Sequence, residues 1–249
     1  MSHSEDLKPS ELERYDRQMM IKGWGVEGQK ILKKSKVVVM GVGGLGCPVS
    51  IYLAVGGVGH LVLIDKDKPD LSNLNRQILH WEKDIGKDKA ISAKEKLIQM
   101  NSDIIIEALP LEITEENIFD LVKGATVVID AMDNFNTRYL INDACTHYKI
   151  PFVHAGIYGL EGQLTTIVPG KGPCLKCIFP NPPVEQKKFP VLGATPAVLA
   201  TLQAMEAFKL VLGIGTPLIG RLLIFDGEAM SFDVMQIKRQ NDCEACSRI

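Results

Sequence analysis

The sequence lacks a surplus of charge of either sign. Its 249 residues include 28 Lys and Arg and 30 Asp and Glu, for a formal net charge of −2, and the basic residues are scattered. A protein that binds a nucleic-acid backbone needs a patch or stripe of basic side chains, because each contact neutralises a phosphate. We therefore expect no nucleic-acid partner.

The sequence also has no apolar leader. Met1–Asp6 is polar and acidic, and no hydrophobic stretch follows it, whereas a secretory signal has an apolar core. A cytoplasmic location is therefore predicted. One internal stretch, Val37–Ile64, contains no Asp, Glu, Lys or Arg and is longer than the roughly 20 residues of a membrane span. Seven glycines and Pro48 divide it into strand, turn, helix and strand, so we expect no membrane partner.

No linker or internal repeat divides the chain, and its 46% hydrophobic and 23% charged residues are typical of a globular protein. Residues 36–155 alternate between strand and helix patterns, which predicts a parallel, doubly wound sheet of the Rossmann-like α/β class. Beyond residue 155 the pattern favours antiparallel strands that continue the sheet. The predicted strands are 36–40, 61–64, 104–106, 126–129, 163–168, 222–225 and 232–237. One helix is predicted to begin at the Ser10 cap. Further helices are predicted over residues 45–55, 89–100, 115–122, 137–145 and 195–212.

A glycine-rich loop joins the first predicted strand to the helix behind it. It reads Gly41-Val42-Gly43-Gly44-Leu45-Gly46, the GxGxxG order in which glycine lets the backbone approach phosphates. The helix N-terminus adds unpaired N–H groups and a partial positive charge. Asp65 ends the next predicted strand, where a carboxylate accepts hydrogen bonds from a ribose hydroxyl. The combination favours a nucleotide site over a mere packing turn, without naming the nucleotide.

Two short segments after Asp65 carry side chains that suit a triphosphate. Asn73, Arg76 and Gln77 follow a turn, and Lys89 begins a helix. The pyrophosphate of a dinucleotide is held largely by backbone amides, but the outer phosphates of ATP carry more charge and favour arginine and lysine. Together these residues favour ATP over NAD, although each alone fits an exposed turn or helix end.

A carboxylate follows the predicted strand at 126–129. The segment Asp130–Asn134 lies beyond the carboxyl end of that strand, beside the crevice where open α/β sheets bind ligands. Mg²⁺ prefers one or two carboxylates together with phosphate oxygens. Asp133 is therefore predicted to hold magnesium, and the alternative is an ordinary N-cap of the helix that follows.

Four of the six cysteines form two CxxC pairs, Cys174 with Cys177 and Cys243 with Cys246. Two such pairs in a chain without a secretory leader are typical of a tetrahedral zinc site, with redox pairs as the alternative. Four cysteine ligands leave no open position, so the zinc is predicted to be structural and to fasten the end of the chain to its middle. The other two cysteines fall in predicted helices and are expected to be buried core thiols: Cys47 and Cys145.

These segments, in this order, resemble the MoeB/ThiF/HesA family, relatives of the ubiquitin-activating enzymes. The resemblance runs from about Glu13 to Cys246, nearly the whole chain. It is carried by the glycine loop, the two CxxC pairs and the segments Arg14–Gln18 (RYDRQ), Asp65–Asp67 (DKD), Ser72–Gln77 (SNLNRQ), Gly86–Lys89 (GKDK), Asp130–Asn134 (DAMDN) and Leu202–Ala207 (LQAMEA).

The resemblance implies an enzyme that uses ATP to adenylate the C-terminal glycine of a small ubiquitin-like sulfur carrier protein with a Gly-Gly tail. The activated carrier would serve molybdopterin, thiamine or related sulfur transfer. A single adenylation domain over residues 1–249 is implied. It would comprise an N-terminal helical arm (1–35), a nucleotide-binding half (36–155) and a carrier-binding and zinc half (156–249).

The resemblance also assigns roles to the site residues. The ribose would be bound by Asp65, the phosphates by Asn73, Arg76 and Lys89, and Mg²⁺ by Asp133. Arg17 would reach the phosphates from the neighbouring subunit of a homodimer, which makes dimerisation part of catalysis.

This chemistry needs no general base. The α-carboxyl of a protein has a pKa of about 3.3–3.7 and is ionised at neutral pH, and no Ser–His or Cys–His pair is evident. Family members that link covalently to the carrier use a cysteine in the loop after the first CxxC pair. Here Glu185–Gly193 reads EQKKFPVLG, without cysteine. We therefore expect adenylation without a thioester or acyl disulfide through this loop, and a separate sulfur donor.

Three other interpretations stay open. An NAD-dependent oxidoreductase of this fold gives no reason for Arg76, Lys89 and Asp133 together. A non-catalytic module that recruits a small protein would not need those residues intact. A family member that adenylates a non-protein carboxylate or a modified tRNA base is disfavoured by the second CxxC pair and the C-terminal half.

Overall fold

A computed structural model describes residues 6–182 and 188–247. Within them an eight-stranded sheet runs in the order β3-β2-β1-β4-β5-β6-β7-β8. Its strands are β1 (Lys36–Met40), β2 (His60–Ile64), β3 (Ile105–Leu109), β4 (Val127–Asp130), β5 (Phe152–Tyr158), β6 (Glu161–Ile167), β7 (Arg221–Asp226) and β8 (Ser231–Gln236). The helices are α1 (Pro9–Arg14), α2 (Asp16–Met19), α3 (Gly25–Lys34), α4 (Gly46–Val55), α5 (Lys89–Met100), α6 (Ile118–Val122), α7 (Phe135–Tyr148), α8 (Leu175–Ile178) and α9 (Ala194–Leu212), with 3₁₀ turns at Leu71–Asn73 and Glu82–Asp84.

The sheet is parallel at one end and antiparallel at the other. The strands from β3 to β5 pair in parallel, and β5 to β8 pair as antiparallel neighbours. The predicted fold class, a Rossmann-like parallel half continued by antiparallel strands, is confirmed. The predicted division at residue 155 falls inside β5, so the sheet is continuous across it. The chain order reverses between β1 and β4, and in such sheets ligands bind outside the carboxyl ends of the strands at this point.

Helices cover both faces of the parallel strands, which explains their continuous apolar runs. Along β1, Val37 and Val39 face one apolar cluster, which includes residues of α4 and α9, and Val38 and Met40 face another, which includes residues of α6 and α7. α9 is long and apolar enough to cross a membrane by length and composition alone. It packs instead against β4, β5 and β6 as a core helix.

The start of α1 differs from the prediction. α1 begins at Pro9, and its N-cap is Lys8, whose backbone N–H donates to the carboxylate of Glu11 at 2.8 Å. The predicted cap at Ser10 is therefore wrong. Proline is well suited to the first helical position, so the helix begins at Pro9, one residue before Ser10. Farther along the chain, α6 is shorter than predicted. The apolar spacing in residues 89–100 predicts that Ile98 shares one face with Ala90, Ala93 and Leu97, but Ile98 is 39% exposed whereas those three are buried.

The prolines and few hydrophobic anchors of residues 178–189 predict a mobile surface loop, and part of this segment, 183–187, lies outside the described residues. The chain that follows returns to the sheet. The N–H of Gly159 donates to the carbonyl of Pro190 at 2.8 Å, and Tyr158 and Phe189 stack with ring centroids 6.3 Å apart. Residues 188–192 therefore lie against the turn between β5 and β6.

Candidate nucleotide-binding cleft and metal centre

A cleft of about 1360 Å³ opens at the carboxyl ends of β1, β2 and β4. Most residues predicted to bind nucleotide line it: Gly41, Gly43, Gly44, Asp65, Asn73, Arg76, Gln77, Lys89 and Asp133. Two predicted residues are absent from the lining. Gly46 begins α4 beneath the loop, and Arg17 is exposed on α2.

The glycine loop needs glycine for two separate reasons. Gly41 has φ = +90°, a conformation that other residues rarely adopt. A Cβ on Gly46 would lie 2.0 Å from the carbonyl oxygen of Gly41, so a side chain there would clash with the loop backbone. The loop and the start of α4 are thus packed backbone against backbone, as close phosphate binding requires.

Asp65 is held against the glycine loop. One of its carboxylate oxygens accepts from the backbone N–H of Val42 at 2.7 Å, and the other accepts from the N–H of Asp67 at 2.8 Å. Burial raises the pKa of Asp65, and the ammonium of Lys89 and these two N–H groups oppose that shift. The carboxylate is therefore fixed at the edge of the cleft.

Lys89 places an ammonium group at the cleft wall. Lys89 as a whole is 6% exposed. Its Nζ lies 3.3 Å from a carboxylate oxygen of Asp67, whose side chain is 57% exposed. A largely buried cation with one exposed partner is well placed to attract an anion. Sequence reasoning did not single out Asp67, although it stands two residues after Asp65 within the DKD motif.

Arg76 and Gln77 face the cleft from the segment after the 3₁₀ turn at 71–73. Arg76 is half-buried, and its Nη1 donates to the carbonyl of Ser72 at 2.8 Å and to Oδ1 of Asn75 at 3.0 Å. Its other guanidinium nitrogens have no hydrogen bond to any of the described residues and so remain for a ligand. Gln77 is buried, and its Oε1 has no hydrogen-bond partner in the part of the chain that the structure describes.

Asp133 is exposed and does not cap α7. The cap is Asn134, whose Oδ1 accepts from the N–H of Thr137 at 2.8 Å. The alternative interpretation of Asp133 as a helix cap is therefore wrong. Asp130, the other acid of this segment, is buried and lies 2.6 Å from Nδ1 of His154. Asp133 is thus the carboxylate of its segment that lines the cleft.

Arg138 is a lining residue that sequence reasoning missed. Its Nη2 donates to the carbonyl of Met132 at 2.6 Å and to that of Ala155 at 3.2 Å, which ties the segment around Asp133 to β5. The available signal was its spacing. A residue four positions after the cap Asn134 lies on the first turn of α7, the turn that faces the cleft.

The four paired cysteines meet at a second site. Cys174, Cys177, Cys243 and Cys246 are buried, and their sulfur atoms all lie within 4.8 Å of one another. Neighbouring sulfurs are 3.5 to 3.9 Å apart, well beyond a disulfide bond of about 2.05 Å. Four sulfurs about 2.3 Å from a tetrahedral zinc would be about 3.8 Å apart. The cluster therefore fits Zn²⁺, with no ligand position left for a substrate.

The two remaining cysteines are buried in helices, as predicted. Cys47 lies on α4 and Cys145 on α7, and both are fully buried. Burial raises the pKa of the Cys47 thiol to about 12 and also raises that of Cys145. Since the thiolate is the reactive form, neither thiol is suited to be a nucleophile.

Comparison with known proteins identifies a family. Residues 15–245 match the sequence model of the ThiF family. A sulfur carrier protein adenylyltransferase from Thermus thermophilus is 41% identical over 246 residues, covering 95% of this chain and 91% of the relative. The adenylyltransferase and sulfurtransferase MOCS3 of Culex quinquefasciatus is 43% identical over 247 residues. This chain spans 56% of the length of that relative, and 97% of this chain is matched.

A solved structure extends the likeness to three dimensions. The crystal structure of E. coli MccB with ATP superposes with a TM-score of 0.84 at 28% identity, covering 94% of this chain and 74% of that one.

Proposed function

This chain belongs to the ThiF family, and from that membership we propose that it uses ATP to adenylate the C-terminal carboxylate of a small ubiquitin-like sulfur carrier protein. The observation that carries the proposal is the convergence of Arg76, Lys89 and Asp133 on the cleft formed by the glycine loop. The relatives named above support it, since both are named adenylyltransferases and one is named for a sulfur carrier protein.

In the proposed reaction, a carboxylate oxygen of the carrier attacks the α-phosphorus of ATP. An acyl-phosphate bond forms, and the bond between the α-phosphorus and the bridging oxygen to the β-phosphate breaks, releasing pyrophosphate. No proton has to be removed because the carboxylate is already ionised. The enzyme's task is to align two anions and stabilise the leaving group.

Each cleft residue has a part in this scheme. Asp65 orients the ribose, and the glycine loop with Asn73 and Gln77 contacts the phosphates. Arg76 and Lys89 neutralise charge on the departing pyrophosphate. Asp133 would hold Mg²⁺, which would supply further positive charge at the phosphates. The site fits the ion because an exposed carboxylate faces the cleft without serving as a helix cap.

The carrier's tail is proposed to enter from the antiparallel side of the sheet. There the cleft is lined by Gly156, Tyr158 and Gly162, and by Phe189 from the segment that lies against the β5–β6 turn. The absence of cysteine in Glu185–Gly193 supports adenylation without a covalent carrier link through this loop. The six cysteines, all free of disulfide bonds, support a cytoplasmic location.

The substrate class is tested by ATP–pyrophosphate exchange. We expect exchange with at least one small protein that ends in Gly-Gly, because the reaction needs a free C-terminal carboxylate. The same protein truncated by its last two residues should give at least about a hundredfold less exchange, since the reacting carboxylate would be misplaced. Exchange that persists undiminished with truncated proteins, or that occurs only with small carboxylic acids or tRNA, would contradict a carrier substrate.

The proposed homodimer and the role of Arg17 are tested by mixing variants. Arg17→Ala and Lys89→Ala homodimers should each be inactive. If Arg17 serves the partner's cleft, a mixed dimer contains one cleft with both residues intact. Mixing and re-equilibrating the two variants should therefore restore up to about a quarter of wild-type exchange per chain. No recovery in a sample shown to contain mixed dimers would remove Arg17 from the partner's site.

A further inference from the structure

His80 lies beneath the glycine loop and contacts its backbone. The side chain is 2% exposed, and Nε2 is 2.9 Å from the carbonyl oxygen of Val42. The thiol of Cys47 also donates to that oxygen at 3.3 Å. Because both donors are buried, the Val42 carbonyl faces the interior of the protein.

The orientation of this carbonyl determines that of the next N–H group. The peptide bond between Val42 and Gly43 is planar and trans, so its C=O and N–H point in opposite directions. With the Val42 carbonyl turned inward, the N–H of Gly43 is turned toward the cleft, which Gly43 lines. Across residues 6–182 and 188–247 this N–H has no acceptor. It is therefore available to a phosphate oxygen.

The neighbouring groups fix which nitrogen of His80 carries the proton. The Val42 carbonyl oxygen can only accept a hydrogen bond, so Nε2, which lies 2.9 Å away, carries the proton and donates to it. Nδ1 of the neutral ring is then an acceptor, and the Ser92 hydroxyl, 3.0 Å away, donates to it. Lys96 Nζ donates to Oγ of Ser92 at 2.7 Å, which leaves the Ser92 hydrogen for this bond. The ammonium of Lys96 in turn forms a buried ion pair with Asp84, which fixes the other end of this hydrogen-bond network.

The charge state of His80 agrees with this arrangement. Burial lowers the pKa of His80, and the ammonium groups of Lys89 and Lys96 lower it further, against the opposing effects of the Val42 carbonyl and Asp84. The ring is therefore neutral at pH 7, with one donor and one acceptor.

We infer that His80 is a positioning residue for phosphate binding: its Nε2–H holds the Val42–Gly43 peptide so that the Gly43 N–H faces the nucleotide. This inference rests on the proposed function only in taking a nucleotide as the ligand. His80 itself touches no substrate, because it does not line the cleft.

The experiment compares His80→Leu with His80→Gln in the full-length protein. Leucine removes the donor, whereas the glutamine amide retains one at a similar reach. We expect His80→Leu to bind ATP about tenfold more weakly, because a hydrogen bond to a charged group is impaired, and His80→Gln to stay within about threefold of wild type. Adenosine has no phosphate, so its affinity should be unchanged in both variants. In the wild-type protein, ¹⁵N NMR of the His80 imidazole should show Nε2 protonated and Nδ1 unprotonated.

Several results would overturn the inference. These are unchanged ATP affinity in His80→Leu, equal losses for ATP and adenosine, failure of His80→Gln to rescue, or an Nδ1–H tautomer in wild type. The NMR result decides the matter even if His80→Leu does not fold. Failure of the proposed function looks different. Wild type would then bind ATP without exchange, or would not bind ATP at all, before any variant is compared.

Discussion

Asp133→Asn is expected to lower the rate of ATP–pyrophosphate exchange by about a thousandfold or more. Asparagine has the same shape as aspartate but no charge, so it cannot supply the anionic ligand that Mg²⁺ prefers. The fold should be unaffected, because Asp133 is exposed and Asn134 performs the capping of α7. Exchange is measured at saturating ATP, with a small Gly-Gly protein that supports exchange by the wild-type enzyme.

The matched control is Asp120→Asn. Asp120 is an exposed aspartate on α6 that does not line the cleft, so the same chemical change there should leave exchange unchanged. The free energy of unfolding of both variants should lie within about 0.5 kcal/mol of the wild-type value, as is usual for surface substitutions. Raising Mg²⁺ should partly restore Asp133→Asn if the loss is one of metal affinity. Exchange at wild-type rate in Asp133→Asn would remove this residue from the mechanism.

The parts of the site that are local in sequence were predictable. The glycine loop, Asp65 and the start of α5 at Lys89 follow from residue types at fixed spacing, and the structure places all three at the cleft. The order of strand and helix patterns likewise fixed the fold class. In each case the physical cause acts over a few residues, through backbone sterics or helix periodicity.

Other features depend on contacts that spacing does not reveal. Asp133 and Asn134 are adjacent and are similarly good helix caps, so the sequence does not show which of them caps α7. The structure begins α7 at Phe135, which makes Asn134 the cap. The ties of Arg138 to Met132 and Ala155 join segments that meet only in the folded sheet. The role inferred for His80 depends on its contacts with Val42 of the glycine loop and Ser92 of α5, which come from segments far apart in the sequence. Arg17 stays a prediction, because its proposed partner is another copy of the chain.

The cysteine cluster gives the second large expectation, which concerns stability. Purified protein should contain about one zinc per chain, and the double variant Cys174→Ser, Cys177→Ser should contain none. The two pairs close a loop of more than 60 residues, and a cross-link of that span contributes about 3–5 kcal/mol to the free energy of unfolding. For a chain of this size the variant's Tm should fall by roughly 10 °C.

Hydrogen bonds beside the cluster indicate which parts of the fold the loss of zinc would destabilise. Gln240 donates to the carbonyl of Cys177 at 2.9 Å, and the N–H of Leu175 donates to Oδ1 of Asn142 on α7 at 2.8 Å. Asn142 lies in the middle of α7, so release of the cluster should loosen that helix as well as the end of the chain. Hydrogen exchange after zinc removal should therefore rise in α8, in residues 238–247 and in α7, and stay unchanged in β1 and β2.

Cys145→Ser separates the loss of a buried thiol from the loss of a metal. This residue is as buried as the cluster cysteines but lies outside the cluster, so the variant should keep its zinc even if its Tm falls. Exchange activity in the zinc-free variant should decline only as far as its folded fraction does, because four cysteine ligands leave no site for chemistry. Wild-type protein without zinc, or with a Tm that chelation does not change, would leave these four buried thiols as ordinary core residues.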